Sequence, residues 1–282
     1  VNGASTELYG ILGWPVRHSL SPAMHNAAFA AAELDCVYLA FEVPPERLKR
    51  ALKGAEALGL HGLNLTIPHK EAAVSLCQRL DAGALRVGAV NAIRFERGVT
   101  VGYNTDAPGF LKALELRLGF DPREARALVL GAGGVARAVI AALADRGAAE
   151  IRVAARTPGR GEILCQQLCR GHGQLVPWAA APMAAAFAEA DLVVSCLPPE
   201  ATPPGLEALP ARAAVLDVAY GHDTALLAAA RRAGARATDG LEMLVQQGAL
   251  SFVLWTAFDA PVEEMRAAAQ AELQSRTSPR EP

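Results

Sequence analysis

Apolar residues recur along the chain in two rhythms. Short blocks at residues 8–12, 37–43, 63–67, 89–95 and 99–103 have the alternating or continuous apolar character of strands, and blocks at 128–130, 151–155, 175–177, 192–195 and 215–218 read as buried strands. Helical spacing appears between them: from Pro22 through Met24, Ala28 and Ala31; over 46–58, where Leu48, Leu52, Ala55 and Leu58 share a face; and over 107–118, 136–146, 160–169 and 224–233. Gly240 opens a long helix through Met243, Gln247, Leu250 and Leu254, and a last helix spans 261–273. Strands alternating with helices predict an α/β fold whose second half is a parallel sheet covered on both faces. Because the first half is also α/β, two domains with a cleft between them are the expected architecture.

The polar positions inside this pattern carry the chemistry. Leu63, Leu65 and Ile67 alternate with Asn64 and Thr66, so the two polar side chains share one face of the strand. Pro68 ends that strand and Lys70 is expected to open the next helix, where the dipole opposes a cation. The chain holds four lysines, Lys49, Lys53, Lys70 and Lys112, and arginine is otherwise its cation. Arginine does not exchange protons near neutrality and lysine does, so Lys70 is read either as a proton carrier or as an exposed lysine at a helix start. Ser19 and Ser21 precede the helix at Pro22; they either cap it or, with the free amides of its first turn, hold a carboxylate. Residues 89–95 and 99–103 are joined by a tight turn at Glu96, Arg97 and Gly98, and Asn91 is a polar residue within the first of these strands. Asn104, Thr105 and Asp106 follow the second; Asp106 is placed to cap the helix at 107, a role compatible with catalysis.

Residues 129–137 read VLGAGGVAR: an apolar strand, a turn crowded with Gly131, Gly133 and Gly134, and a helix from Val135. Such glycines let backbone amides approach a pyrophosphate while the helix N-terminus supplies partial positive charge, although a tight structural turn uses the same residues. The strand that follows ends on Arg156 and Thr157, with Arg160 four residues after the first. An acidic residue at that tip accepts the ribose 2′-hydroxyl of NAD; here the tip is basic, suiting a 2′-phosphate, so NADP is expected. Glu150 precedes the strand and so lies at its other end.

Composition changes this picture little. A chain of 282 residues, 52% hydrophobic with net charge −2, is an ordinary globular protein with no basic field for nucleic acid. The apolar run at 175–188 contains Pro177 and Pro182 and is too short for a membrane span, and the missing signal-peptide pattern predicts a cytoplasmic location. Five cysteines predict no disulfide framework, and Cys165 and Cys169, on one helical face, are read as packing residues rather than metal ligands. No metal is expected, and residues 277–282 are expected to fray.

Six motifs then resemble the shikimate dehydrogenases, in that family's order: GWPVRHSLSPAMHN at 13–26, NLTIPHK at 64–70, GAVN at 88–91, NTD at 104–106, GAGGVAR at 131–137 and DGLEMLVQQGALSF at 239–252. The resemblance implies a substrate domain over 1–106, completed by C-terminal helices 241–276, and a Rossmann-type NADP-binding domain over 107–240. It implies reversible reduction of 3-dehydroshikimate to shikimate, with Lys70 and Asp106 as the catalytic pair. Ser19 and Ser21 would bind the substrate carboxylate, with Tyr220 nearby, and Asn64, Thr66, Asn91, Asp106 and Gln247 the ring hydroxyls. Gly131, Ala132, Gly133, Gly134, Val135, Ala136, Arg156, Thr157, Arg160 and Gly240 would line the cofactor. The expected partner is a small molecule, in a monomer or homodimer without nucleic acid or membrane.

This chain departs from the family pattern at Ala92, where threonine is common, at Ala107 in place of glycine, at Ala155 in place of asparagine, and in a short proline-free loop after Tyr220. Lys70, Asp106 and both serines stand. The competing readings are an NAD(P)-dependent quinate/shikimate-like dehydrogenase and a non-catalytic nucleotide-sensing homologue.

Overall fold

The computed structural model describes residues 3–277. The chain begins with β1 (Glu7–Gly13), α1 (Ser21–Ala31), β2 (Cys36–Glu42), α2 (Leu48–Ala57), β3 (Gly62–Leu65), β4 (Arg79–Leu80), α3 (Ala82–Val87), β5 (Ala92–Glu96) and β6 (Val99–Tyr103). It continues with α4 (Asp106–Ala113), β7 (Arg126–Leu130), α5 (Gly134–Asp145), β8 (Glu150–Ala154), α6 (Pro158–Leu168), β9 (Gly173–Val176), α7 (Ala180–Glu189), β10 (Leu192–Ser195), β11 (Ala214–Asp217), α8 (Ala225–Ala233) and β12 (Arg236–Thr238). Two helices close it, α9 (Leu241–Thr256) and α10 (Val262–Thr277). Contacts divide the chain into two compact units, one made of residues up to Thr105 with those from Val245 on, the other of Asp106–Leu244.

The first unit is built on a six-stranded mixed sheet, ordered β2-β1-β3-β5-β6-β4. β1 pairs in parallel with β2 and β3, whereas β5 runs antiparallel to both β3 and β6. The β5–β6 hairpin closes through Arg97 and Gly98, both at positive φ, which matches the twist of the flanking strands. One face of the sheet presents Leu63, Leu65 and Ile93 to Leu48, Leu52 and Ala55 of α2. Leu58, expected on that stripe, is 77% exposed because α2 ends one residue before it. By strand alternation Gly62 and Asn64 face the other way, toward Trp255 and Ser251 of α9. On that side Tyr9, His25, Phe29, Tyr38, Phe252 and Trp255 form one group of neighbouring rings.

The second unit has the order β12-β11-β10-β7-β8-β9 with every neighbouring pair parallel, a doubly wound Rossmann-type sheet whose strand order reverses between β7 and β10. Leu128, Leu130, Val193 and Val215 pack with Met183 and Phe187 of α7 and with Leu226 of α8. The apolar pattern does not foretell α7, since Pro182 stands inside it. Proline is tolerated there because the first turn of a helix has no intrahelical acceptor for its amides. β12 is a three-residue edge strand too short to show a period. The helix expected over 107–118 is α4 followed by a π-helical turn, Leu114–Leu118.

Among the described residues no helix is long and apolar enough to cross a membrane. Of the stretch expected to fray, Thr277 ends α10, and residues 278–282 lie outside the described residues.

Trp255 seats α9 on the first sheet. Its ring nitrogen donates to the Ile93 carbonyl at 2.9 Å, and a Cβ on Gly62 would stand 2.3 Å from that nitrogen. Gly62→Ala therefore displaces a buried indole, with an expected loss of about 1–3 kcal/mol. Urea unfolding monitored by tryptophan fluorescence measures it; unchanged stability would show that the indole moves without cost.

Candidate active site

In the first unit the buried side chains of Asn64, Asn91, Thr105, Gln247 and Ser251 form one connected group. Asn64, in β3, is 4% exposed, and both its N–H groups are taken. Oδ1 accepts the Tyr38 hydroxyl at 2.7 Å, while Nδ2 donates to the Asn91 carbonyl and to Ser251 Oγ, each at 3.0 Å. Asn91 lies just before β5 rather than inside it, because β5 starts at Ala92. Its Oδ1 accepts the Thr105 amide at 2.7 Å, and its Nδ2 donates to Thr105 Oγ1 at 2.8 Å and to Gln247 Oε1 at 3.2 Å. Ser251 Oγ donates to the Gln247 carbonyl at 3.0 Å and meets Thr105 Oγ1 at 3.3 Å. Thus Asn64, Asn91 and Gln247, all expected in the site, are brought together.

Lys70 is 9% exposed and lies in a turn, not at the head of an α-helix; the next element is a four-residue 3-10 segment, Ala72–Ser75. The helix-dipole argument for Lys70 therefore does not hold. What fixes the residue is its backbone setting. The His69 ring bonds the Val43 carbonyl at 2.7 Å, the His69 amide donates to Thr66 O at 2.8 Å, and Val90 N donates to Lys70 O at 2.8 Å. Burial pulls His69 below the ordinary histidine range, favouring the neutral ring that such a contact uses. Thr66 and Ile67 lie beyond β3, and Ile67 is exposed, so the alternation stops at Leu65.

Ser21 is the first residue of α1 rather than its cap; Leu20 occupies the cap position and makes no side-chain capping bond. Ser19 Oγ instead accepts the Ser21 amide at 3.2 Å. The loop carrying both serines is tied to α10, where Arg276 donates to the carbonyls of His18 and Ser19 at 2.6 and 3.4 Å.

The second unit presents a different surface. Gly131 has φ +112, and a Cβ on it would stand 3.0 Å from the Cys196 carbonyl that follows β10. Only glycine fits that crossing, which lies at the strand-order reversal where this sheet type binds its ligands. At Gly133 no described atom lies within 4 Å of where a Cβ would stand, and no side chain caps α5. Free amides facing open space suit a phosphate group. Ala132, Gly134 and Val135 are partly exposed and Ala136 is buried. Arg156, Thr157 and Arg160 stand exposed after β8, and Thr157 precedes α6 without a side-chain capping bond. Glu150 opens β8 rather than preceding it, where it accepts from Arg152 at 2.9 Å.

Asp106 is buried and is itself the first residue of α4, one position later than a cap, where its negative charge suits the helix end. Tyr220 lies half-buried in the loop after β11. Asp217 anchors that loop, accepting Thr224 Oγ1 at 2.7 Å and the Ala219 amide at 3.1 Å, while Thr224 in turn caps α8. Burial lifts the Asp217 carboxyl above the usual range against these hydrogen bonds, which favour the charged form. A Cβ on Gly240 would fall 2.0 Å from the Val218 carbonyl, so the entry to α9 also requires glycine.

Sequence reasoning missed Tyr38, Ser251 and His25. Ser251 stands four residues after Gln247, a spacing that shares a helix face and was a usable signal. Tyr38 looks like an ordinary strand residue, and His25 has no carboxylate neighbour to mark it.

His25 is fully buried, stacked on Tyr38 at 4.4 Å, and neither ring nitrogen has a hydrogen-bond partner among the described residues. Burial holds its pKa down to about 3. A group that binds protons more weakly when folded contributes stability above its unfolded pKa of about 6.5, lost progressively as pH falls toward 3. From pH 6.5 to 5 the expected loss from this residue is about 2 kcal/mol. Chemical unfolding at pH 7 and pH 5 should show His25→Leu losing that much less stability than the parent; equal losses would contradict the assignment.

Three family descriptions match successive parts of the chain: a shikimate dehydrogenase substrate binding domain over residues 11–93, shikimate / quinate 5-dehydrogenase over 115–202, and a shikimate 5'-dehydrogenase C-terminal domain over 240–270. The shikimate dehydrogenase (NADP(+)) of Methanopyrus kandleri is 48% identical over 276 residues, covering 94% of this chain and 95% of its own. The crystal structure of shikimate dehydrogenase from Aquifex aeolicus superposes with a TM-score of 0.88 at 36% identity, covering 96% of this chain and 100% of that one. That of shikimate 5-dehydrogenase from Thermus thermophilus, in complex with NADP(H) and shikimate, gives 0.85 at 38% identity, covering 94% and 99%.

Proposed function

This chain belongs to the shikimate dehydrogenase family, an NADP-dependent oxidoreductase acting on a CH–OH group, and from that premise we propose that Lys70 and Asp106 are the pair through which it interconverts 3-dehydroshikimate and shikimate. The observation that carries this reading is Lys70 itself, a largely buried lysine in a turn pinned by neighbouring backbone bonds, one of four lysines in a chain whose commoner cation is arginine. NADP supplies the hydride chemistry when bound. As negative charge develops on the ketone oxygen, the Lys70 ammonium stabilises it and delivers the proton; in the reverse direction the amine takes that proton back. Asp106 accepts a hydrogen bond from a ring hydroxyl.

The first unit serves as the substrate domain and the second as the NADP domain. Ser19 and Ser21 hold the substrate carboxylate, with Tyr220 acting beside them. Asn64, Thr66, Asn91 and Gln247 receive the ring hydroxyls; their mutual hydrogen bonds support that role, since a preorganised polar group loses little freedom on binding. The turn from Gly131 to Ala136 takes the pyrophosphate, Gly240 adjoins the cofactor, and Arg156, Thr157 and Arg160 take the 2′-phosphate. With a basic tip on β8 and Glu150 at its other end, the quinate-type alternative using NAD is disfavoured. The enzyme works in the cytoplasm as a monomer or homodimer, without nucleic acid or membrane. All five cysteines are free thiols, the state that a reducing compartment maintains.

Steady-state rates with shikimate test the pair. Lys70→Ala should lower kcat by about 10²–10⁴-fold, the range of general acid–base catalysis, with NADP affinity retained. A variant within threefold of the parent would remove Lys70 from the mechanism. For the cofactor, Arg156→Ala should raise KM for NADP about tenfold, the low end for a charged hydrogen bond, and leave the NAD-linked rate alone. Equal changes with both cofactors would refute the 2′-phosphate contact.

A further inference from the structure

Tyr38 has no place in the reaction as described, yet its backbone, ring and hydroxyl each have a partner in the first unit. It sits in β2, the edge strand of the sheet, with its side chain completely buried. The Asn26 amide holds its backbone from the open side: Tyr38 N donates to Asn26 Oδ1 at 2.8 Å, and Asn26 Nδ2 donates to Tyr38 O at 3.0 Å. Its ring lies flat against His25, with an interplanar angle of 11°. Its hydroxyl donates to Asn64 Oδ1 at 2.7 Å.

Proton counting gives this arrangement a direction. A phenol has one proton, and Tyr38 spends it on Asn64. Both N–H groups of Asn64 are already committed, to Asn91 and Ser251, so the group Asn64 has left for a ligand is the second lone pair of Oδ1. Asn64 therefore accepts from a substrate hydroxyl and does not donate.

We propose that Tyr38 is a positioning residue for substrate binding, one that fixes the orientation of Asn64 without touching the substrate. This rests on the reading of Asn64 as a substrate ligand given above. Its specific consequence is that loss of the hydroxyl weakens shikimate binding while leaving the proton-transfer pair and the NADP domain as they were.

The test is a double-mutant cycle of Tyr38→Phe and Asn64→Ala, read as KM for shikimate, kcat and KM for NADP, with thermal melts to establish folding. Tyr38→Phe keeps the ring on His25 and is expected to raise KM for shikimate about tenfold, with kcat reduced less than threefold and KM for NADP unchanged. In the Asn64→Ala background the same change should add less than twofold. A KM within twofold of the parent, an equal increase in both backgrounds, or a fall in kcat and rise in both KM values together would overturn the proposal. If Asn64→Ala alone leaves KM for shikimate unchanged, the ligand reading of Asn64 is wrong and the role of Tyr38 goes with it. If instead Asn64→Ala raises KM and Tyr38→Phe does not, only the positioning role fails. Should Tyr38→Phe not fold, Asn26→Ala, which loosens the Tyr38 backbone and spares its hydroxyl, is expected to give the same selective rise in KM for shikimate. Its absence there would equally overturn the proposal.

Discussion

A buried amide must place two N–H groups and an oxygen, and leaving any of them unpaired costs about 1–3 kcal/mol. Asn64 meets that demand with three separate parts of the chain: β2 through Tyr38, the segment before β5 through Asn91, and α9 through Ser251. Each partner is itself bound further on, so that Thr105 and Gln247 are drawn into the same set. The requirement is local but its effect is not. Residues nearly two hundred positions apart in the chain are held in register by hydrogen bonds of fixed polarity, and α9 cannot shift without stranding a polar group.

The second unit reaches its form by the opposite device. Where the first is ordered by side chains that saturate one another, the second is ordered by side chains that are absent. Gly131 and Gly240 allow main-chain segments to come closer than any Cβ would permit, and Gly133 leaves space before an uncapped helix. On the assignment of ligands proposed above, the contrast follows them. A hydroxylated ring is distinguished by directional donors and acceptors, whereas a diphosphate needs backbone amides and room.

Much of this was legible beforehand. The parallel sheet of the second unit follows from alternating apolar blocks, and the glycine turn and basic tip of β8 are local signals. Family motifs singled out Asn64, Asn91 and Gln247 before any geometry was known. Three kinds of feature were not legible. Helix starts shifted by a residue or two, which moved Ser21 and Asp106 from cap positions into the first turn and put Lys70 outside a helix altogether; backbone hydrogen bonds to distant segments decide those boundaries, and no local pattern encodes them. α7 was hidden because Pro182 is a breaker everywhere except in a first turn. Tyr38 and His25 were invisible because an aromatic residue in a strand or on an apolar helix face looks like packing, and a role that depends on who lies opposite is tertiary information.

Asn26 carries a consequence of a different kind. An edge strand offers unpaired backbone groups to any chain that can lie alongside it, and β2 adds exposed Leu39 and Phe41 to that invitation. By filling the donor and acceptor of Tyr38 with a side-chain amide, α1 supplies a counterfeit neighbouring strand at the centre of the edge. The same amide that steadies Tyr38 thereby interrupts the ladder that an incoming strand would need, so that one asparagine guards the sheet edge and the seat of a buried ring together.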